Sequence, residues 1–380
     1  MADRWINCSV CGSRYDAYLA VCPHCGEGNV SDQSLSKKSS AGRKVGLAAG
    51  IAIAVVVAVL FVPALIMVLT QTNEGDVPGI NILPPKQQEP KLVPKEELVA
   101  RALELINDDR AKFGLPPVQQ STNQAAQIHA EDVFKNKQIS HWMSNGEKPY
   151  MTYTVYGGMG SVSQNVAIAG FSKAQYEECV DNVLYDCEKI EPMSTIEELQ
   201  YEMMYKDAEC CNDGHKDNIL NKYHTHVSIG VYYDEYYLAF VQNFENNYGI
   251  EVTVNDEQAR ISGELLSGSI EYVNVHYDPI PDATLYEENK QLLAYSAGEL
   301  VASVVKPLPP GYYYEKPEGY RLIVANKWNV MENNIEISFN LPKAVTADGV
   351  YTIYMVVKDS ETGDTFEVTS YSVFIESLPN

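Results

Sequence analysis

The residues best equipped for chemistry lie at the start of the chain, where CSVCG and CPHCG place Cys8, Cys11, Cys22 and Cys25 in two chelating pairs. Gly12 and Gly26 follow the pairs and permit the tight turns that aim two sulfurs at one ion. Four thiolates suit zinc, which is tetrahedral, has no redox chemistry and can hold together a unit too small for a hydrophobic core. A rubredoxin-like iron site and a redox-active pair are the rivals. The redox pair would need a thioredoxin-like strand and helix context that about 40 residues cannot provide. Because four thiolates leave no open coordination position, the expected role is structural. His24 reads as a solvated residue of the turn. The other six histidines are His129, His141, His215, His224, His226 and His276, and they offer imidazoles for ligation or proton transfer. The nucleophile motifs G-x-S-x-G and H-E-x-x-H are absent from the sequence.

These groups fall on two sides of one uncharged segment. Val45 to Leu69 is wholly apolar apart from its two glycines and proline. As a helix it would span roughly 37 Å, against about 30 Å for a bilayer core. A membrane-spanning helix is therefore expected, with a signal-peptide core as the weaker reading. Lys37, Lys38, Arg43 and Lys44 precede it, which predicts a cytoplasmic N-terminus. The formal charge of -23 is uneven, since residues 1–44 hold six basic and four acidic side chains and everything after position 69 holds 22 basic and 47 acidic. Such an acidic body repels nucleic acid, which is excluded as its partner. Pro78, Pro84, Pro85, Pro90 and Pro94 make residues 70–94 an extended stalk with a reach of up to ~75 Å.

Beyond the stalk, Leu98, Val99, Ala102, Leu103 and Ile106 recur at helical spacing, with Gly114, Pro116 and Pro117 closing the run. Further helices are expected from Ser121, with Gln124 completing a capping box, from Ser172, with Gln175, and from near Ser194, with Glu197. The helix from Ser172 is expected to carry Tyr176, Cys179, Val180, Val183, Leu184 and Cys187 on one face. Cys179 and Cys187 would then stand roughly 12 Å apart, beyond the ~7 Å limit for a bridge. At least one of them is expected to bond Cys210 or Cys211, with four free thiols as the alternative. Val227, Ile229 and Val231 alternate with smaller or polar residues before a turn at Asp234 and Glu235, which predicts a hairpin continuing to Phe244.

Several blocks carry a family resemblance: LINDDRAKFGLPPV (105–118), AQIHAEDV, ISH (139–141), SQNVA (163–167), GHKDNIL (214–220), THVSIGV (225–231) and VQNFE (241–245). In this order they resemble the prokaryotic CAP domains, relatives of cysteine-rich secretory proteins, antigen five and plant pathogenesis-related proteins. The resemblance covers about 95–245 and implies an α-β-α sandwich with a central groove, normally outside the cell. It also implies a groove of two histidines and two glutamates able to hold a divalent metal. The first histidine matches His141, and the first glutamate falls at Gln164, an amide that cannot act as general base. Glu209, then Glu202, are the choices for the second glutamate. The second histidine is matched by His226 or His215, with His224 close by, while His129 is expected to be a packed core residue. The N-terminal segment resembles the short zinc ribbons at the start of many prokaryotic membrane proteins.

Past Gly249 the pattern changes to alternating runs at 260–266, 270–277, 335–339, 350–357 and 366–375, broken by prolines, as expected of an immunoglobulin-like β-sandwich. Tyr312, Tyr313 and Tyr314 are expected to pack against it, with carbohydrate or protein binding as the alternative. The expected protein is thus multi-domain: a zinc ribbon (1–30), a basic linker (31–44), a transmembrane helix (45–69), a stalk (70–94), a CAP domain (95–249) and an all-β sandwich (250–380). The body is expected outside the membrane as a surface binding or adhesion module for an extracellular ligand or envelope protein. A metal-dependent hydrolase of peptide or glycan is the alternative. Transmembrane signalling, with the ribbon docking a cytoplasmic protein, is a third reading.

Overall fold

A computed structural model describes residues 5–7, 14–16, 93–182, 186–255, 258–265, 268–331 and 333–376. Cys8, Cys11, Cys22 and Cys25, expected to hold zinc, and the expected span Val45–Leu69 lie outside the described residues. Among the described residues no helix is long and apolar enough to cross a membrane. Near the N-terminus β1 (Trp5–Asn7) and β2 (Arg14–Asp16) pair antiparallel, Ile6 opposite Tyr15.

Residues from 93 onward first build a four-stranded sheet between helices. Its strands are β3 (Gln119–Gln120), β4 (Ser161–Gly170), β5 (His226–Tyr233) and β6 (Tyr237–Asn246), in the order β3-β5-β6-β4. The hairpin β5–β6 forms where alternation predicts it, and Asp234 closes its turn by accepting the backbone N–H groups of Tyr236 and Tyr237. Helix α1 (Lys95–Lys112) lays Leu98, Val99, Ala102 and Ile106 on one sheet face, as its periodicity requires. Burying each of these larger side chains stabilises the fold by about 1.5–3 kcal/mol. Helix α2 (Ala125–Asn136) covers the other face with Ala126, Ala130 and Val133. It comes so close that a Cβ on Gly230 would stand 2.0 Å from the Ala126 carbonyl oxygen, so glycine is required there.

Two of the helix starts differ from the sequence expectation, while the one expected at Ser172 forms there. Helix α2 begins at Ala125, and Asn123 rather than Ser121 accepts the first free N–H, that of Ala125, at 2.9 Å. After α3 (Pro149–Val155) comes α4 (Lys173–Asp181), which stops six residues before Cys187. The 12 Å separation expected of a continuous helix therefore does not arise. Cys179 bonds Cys187 with Cα atoms 5.8 Å apart, while Cys210 bonds its neighbour Cys211. No bond ties either of the first pair to the second. Helix α5 (Pro192–Tyr205) starts with proline in its first turn, earlier than Ser194, where the missing N–H costs nothing. Two short helices follow, α6 (Ala208–Cys211) and α7 (Gly214–Leu220).

The C-terminal region is sheet-rich. A four-stranded sheet orders β12 (Lys327–Met331), β13 (Asn334–Asn340), β8 (Gln258–Glu264) and β7 (Glu251–Asn255). A five-stranded sheet orders β11 (Arg321–Val324), β10 (Glu299–Val305), β9 (Ser269–Asp278), β14 (Gly349–Lys358) and β15 (Thr365–Ile375). Both sheets feed one core, in which Ile261 and Ile337 of the first meet Val275 and Ile353 of the second. Tyr312 and Tyr313 do not pack against this core. They stand 73% and 89% exposed at the rim of a cleft of about 660 Å³ that Arg321 also lines.

The two regions are bound by a sealed polar seam. Lys148 Nζ lies 2.7 Å from Asp278 Oδ1 and donates to the Ser296 carbonyl at 3.0 Å, and Tyr150 donates its hydroxyl to Asp278 Oδ2 at 2.6 Å. Around it Tyr223 stacks on Phe366 with ring centroids 4.0 Å apart. Gly146, at φ 88°, lets the loop press on the backbone of Asp282 at the start of α8 (Ala283–Asn289).

Candidate functional site

Strand β4 is an edge strand, and a cavity of about 330 Å³ opens along its free edge. Its lining brings together His141, Gln164, Asn165 and His215 with the stretch Lys290–Tyr295 that follows α8. Successive strand residues face opposite ways, so Gln164 meets one layer and Asn165 the other. At an edge both can reach the same opening.

On the first side an imidazole–amide–imidazole chain runs under the cavity. His129, buried on α2, lies with Nε2 2.8 Å from the Ser140 carbonyl oxygen, which can only accept, so this nitrogen carries the proton. Its Nδ1 then accepts from Gln164 Nε2 at 3.3 Å, and the same amide donates to Asn243 Oδ1 at 3.1 Å. Gln164 Oε1 is thereby turned to His141, whose Nδ1 donates to it at 3.0 Å. The His141 ring also bonds the Leu293 backbone on the facing cavity wall. Burial pushes the His141 imidazole down to about 4, and the neighbouring His129 and His215 add to the depression, while the Gln164 bond and the Leu293 backbone oppose it. Burial likewise lowers His129. Both rings are therefore neutral at pH 7.

On the second side Asn165 belongs to a one-way chain of amides. Asn218 donates to Asn165 at 2.8 Å, Asn165 to Gln242 at 3.1 Å, Gln242 to Gln200 at 2.7 Å, and Gln200 to the buried Asp109 at 3.1 Å. The chain ties the cavity floor to α5 and α1 and fixes the orientation of each amide. Arg110, fully buried beside Asp109, donates to the carbonyls of Pro116, Ile219 and Asn221 and so anchors the end of α7.

The carboxylate that serves the site is one the sequence reading missed. Asp207, 2% exposed, accepts from His215 Nδ1 at 2.6 Å through Oδ1, while its Oδ2 accepts the backbone N–H of His215 at 2.8 Å. It both caps α7 and sets the His215 tautomer, leaving Nε2 free of that bond. Its position just before α6 and eight residues from His215 was the available signal. Glu209 and Glu202, favoured from the sequence, do not line the cavity, and Glu202 pairs with Lys206 on the surface. His226 is also outside the lining, with Nδ1 2.9 Å from Thr225 Oγ1. His224 is buried against Phe244 and bonded to Asn246, with its imidazole pushed down to about 4 by burial. His276 sits on β9 against Tyr354.

The stretch Lys290–Tyr295 comes from the sheet-rich region, so the cavity is composite. Tyr295 packs edge-on against His141, ring centroids 5.3 Å apart, and against Trp142 at 6.3 Å. Together the walls present imidazoles, carboxamides and an aromatic edge, with Leu292 and Leu293 half to three-quarters exposed at the mouth. Such a lining can orient a small polar ligand through hydrogen bonds and an apolar contact.

A family model described as the cysteine-rich secretory protein family, CAP, matches residues 103–244. A solved structure, an extracellular protein containing an SCP domain from Bacillus anthracis str. Ames, is 21% identical over 41% of this chain and 44% of its own, with a TM-score of 0.27. The chain therefore spans less than half the length of that protein. A search of curated proteins found no match. Residues 103–244 thus match the CAP family model, and a sheet-rich C-terminal region follows them.

Proposed function

We propose that the chain is a membrane-anchored, extracytoplasmic binding protein whose CAP cavity receives a small polar ligand or a segment of an envelope protein. The observation that carries this reading is the composition of the cavity: carboxamides at fixed orientation, the neutral His141 imidazole and the His215 imidazole, with no carboxylate among its described lining residues to activate water. The apolar segment 45–69, its basic N-terminal flank and the proline-rich stalk support the anchoring, and the Cys8, Cys11, Cys22 and Cys25 spacing supports a structural zinc ion on the cytoplasmic side. The sheet-rich region, an immunoglobulin-like sandwich in this reading, supplies one cavity wall and would share in recognition.

The test is equilibrium binding of the purified chain to cell-wall glycans and peptides, with product analysis of each mixture. Saturable binding without turnover, weakened in both Gln164→Ala and Tyr295→Ala, is the expected result. Protease digestion of intact cells should remove residues 70–380; their protection would overturn the topology.

One observation favours a second reading, a metal-dependent hydrolase. His141 and His215 line the same cavity, and Asp207 orients His215 as a carboxylate orients a metal-bound imidazole. These two imidazoles fit a divalent ion, which when bound would act as a Lewis acid. Gln164 holds Nδ1 of His141 and adds no charge. Turnover of peptide or glycan that depends on added metal and is lost in His141→Ala would favour this reading over the first.

A further inference from the structure

Beside the cavity, four potential metal donors stand closer together than the CAP groove itself requires. The donor atoms of Asp207, Cys210, Cys211 and His215 all lie within 4.8 Å of one another. They are gathered by the backbone: α6 ends at Cys211, and Asn212 and Asp213 both adopt left-handed angles, φ 50° and 61°. Two successive non-glycine residues in that region cost of order 1 kcal/mol each and reverse the chain, which sets the two sulfurs against the first turn of α7. Asp207 Oδ1 is central to the set, 2.6 Å from His215 Nδ1 and 3.7 Å from Cys210 Sγ. Cys210 is exposed and Cys211 and His215 are half-buried, so reagents reach the sulfurs.

We propose that Cys210, Cys211, His215 and Asp207 form a redox-gated site for a thiophilic divalent ion such as zinc, opened when the Cys210–Cys211 bond is reduced. With the bond intact each sulfur is spent on its neighbour and is a poor ligand. A dithiol reductant transfers two electrons and two protons: the sulfur–sulfur bond breaks, two thiols form, and the reductant leaves as its own disulfide. Binding of the ion then releases the two thiol protons and leaves two thiolates, an imidazole and a carboxylate around it. Zinc needs sulfur at about 2.3 Å and nitrogen at about 2.0 Å, so donors already within one coordination sphere's breadth require only small shifts. The proposal goes beyond the binding reading above and does not depend on the ligand of the cavity, although Cys211 and His215 line it. An ion here would engage His215 and alter that wall.

The test uses the full chain with cobalt(II) as probe, because its thiolate charge-transfer absorption reports sulfur ligation. The chain is treated with a dithiol, desalted without oxygen and titrated, and thiols are counted by alkylation and mass spectrometry. In the zinc-ribbon reading Cys8, Cys11, Cys22 and Cys25 would also take up cobalt, so the quantity read is the difference between the native sequence and Cys210→Ser/Cys211→Ser. One additional equivalent with sulfur absorption in the reduced native chain, and none in the oxidised chain, is expected. His215→Ala leaves the sulfur chemistry intact and should weaken the additional equivalent at least tenfold, and it serves alone if the double serine variant does not fold. Equal cobalt uptake by the reduced native chain and the serine variant overturns the proposal. So does an extra equivalent that the oxidised chain also binds, one unaffected by His215→Ala, or a Cys210–Cys211 bond that the dithiol leaves unbroken.

Discussion

Two buried polar clusters in this protein lie close together and are built differently. The seam between the CAP domain and the sheet-rich region is charged, with Lys148 and Tyr150 both spent on Asp278, and it is largely buried. The cavity cluster is neutral on its His129–Gln164–His141 side and opens along a sheet edge. Burial explains the contrast. A sealed charge is tolerated only when a partner satisfies it, so the seam is rigid and saturated. A cluster facing an opening keeps unspent hydrogen-bonding capacity, and here that capacity is His215 Nε2. The saturated cluster holds the wall Lys290–Tyr295 in place, and the unsaturated one uses it.

The contrast is most sharply broken at the seam. Asp278→Ala strands the Lys148 ammonium in a dry site and should cost about 3–5 kcal/mol in chemical denaturation, whereas Lys148→Met/Asp278→Leu should recover most of that loss. A single-variant cost below about 1 kcal/mol would show that water reaches the seam.

Acid should act on the other cluster. His141 and His224 are held near 4 in the folded chain and take the ordinary value near 6.5 when unfolded. Their folded values are depressed, so the unfolded chain binds protons first. Stability is therefore complete above about pH 6.5 and falls as the pH drops toward 4, by roughly 3 kcal/mol for His224 and by less for His141, where solvent has partial access. A denaturant midpoint independent of pH over this window would contradict the neutral, buried rings.

Within the cavity cluster, Gln164→Leu keeps the shape but leaves His129 and Asn243 without its amide, and it should cost about 1–3 kcal/mol in thermal or chemical unfolding. The smallest effect on stability is expected from Gln164→Glu. This change restores a carboxylate beneath His141 and should raise that imidazole by about 1–2 pH units, read by NMR titration of the ring protons. An unmoved His141 would mean that its bond to position 164 is not formed in solution.

Much of the fold could be read before any coordinates because its signals are local. The α1 stripe, the Asp234 turn and the five alternating runs past Gly249 each lie within about 20 residues, and each became the element expected. Strands β7, β11 and β12 were missed because they are short and sit at sheet edges, where the alternation has little to bury, and β10, internal to its sheet, was missed as well. In the site, His141, Gln164 and His215 were found through ordered sequence blocks, and Asp207 was not, since a lone aspartate between helices carries no pattern. The bridge between Cys179 and Cys187 was misjudged because periodicity appeared to continue past Asp181, where the helix in fact ends.

What the chain determined by itself was the type of each layer and the chemical character of the groups offered, since side-chain periodicity and donor type are properties of neighbouring residues. What only the tertiary structure decided was which groups meet. Lys148 finds Asp278 across 130 residues, Gln164 finds His129 across 35, and the Lys290–Tyr295 stretch becomes a wall of a cavity whose floor is β4. Such meetings are fixed by the packing of whole sheets and helices against each other, and the energy that selects them comes from burial shared over both regions rather than from any local preference of the residues that touch.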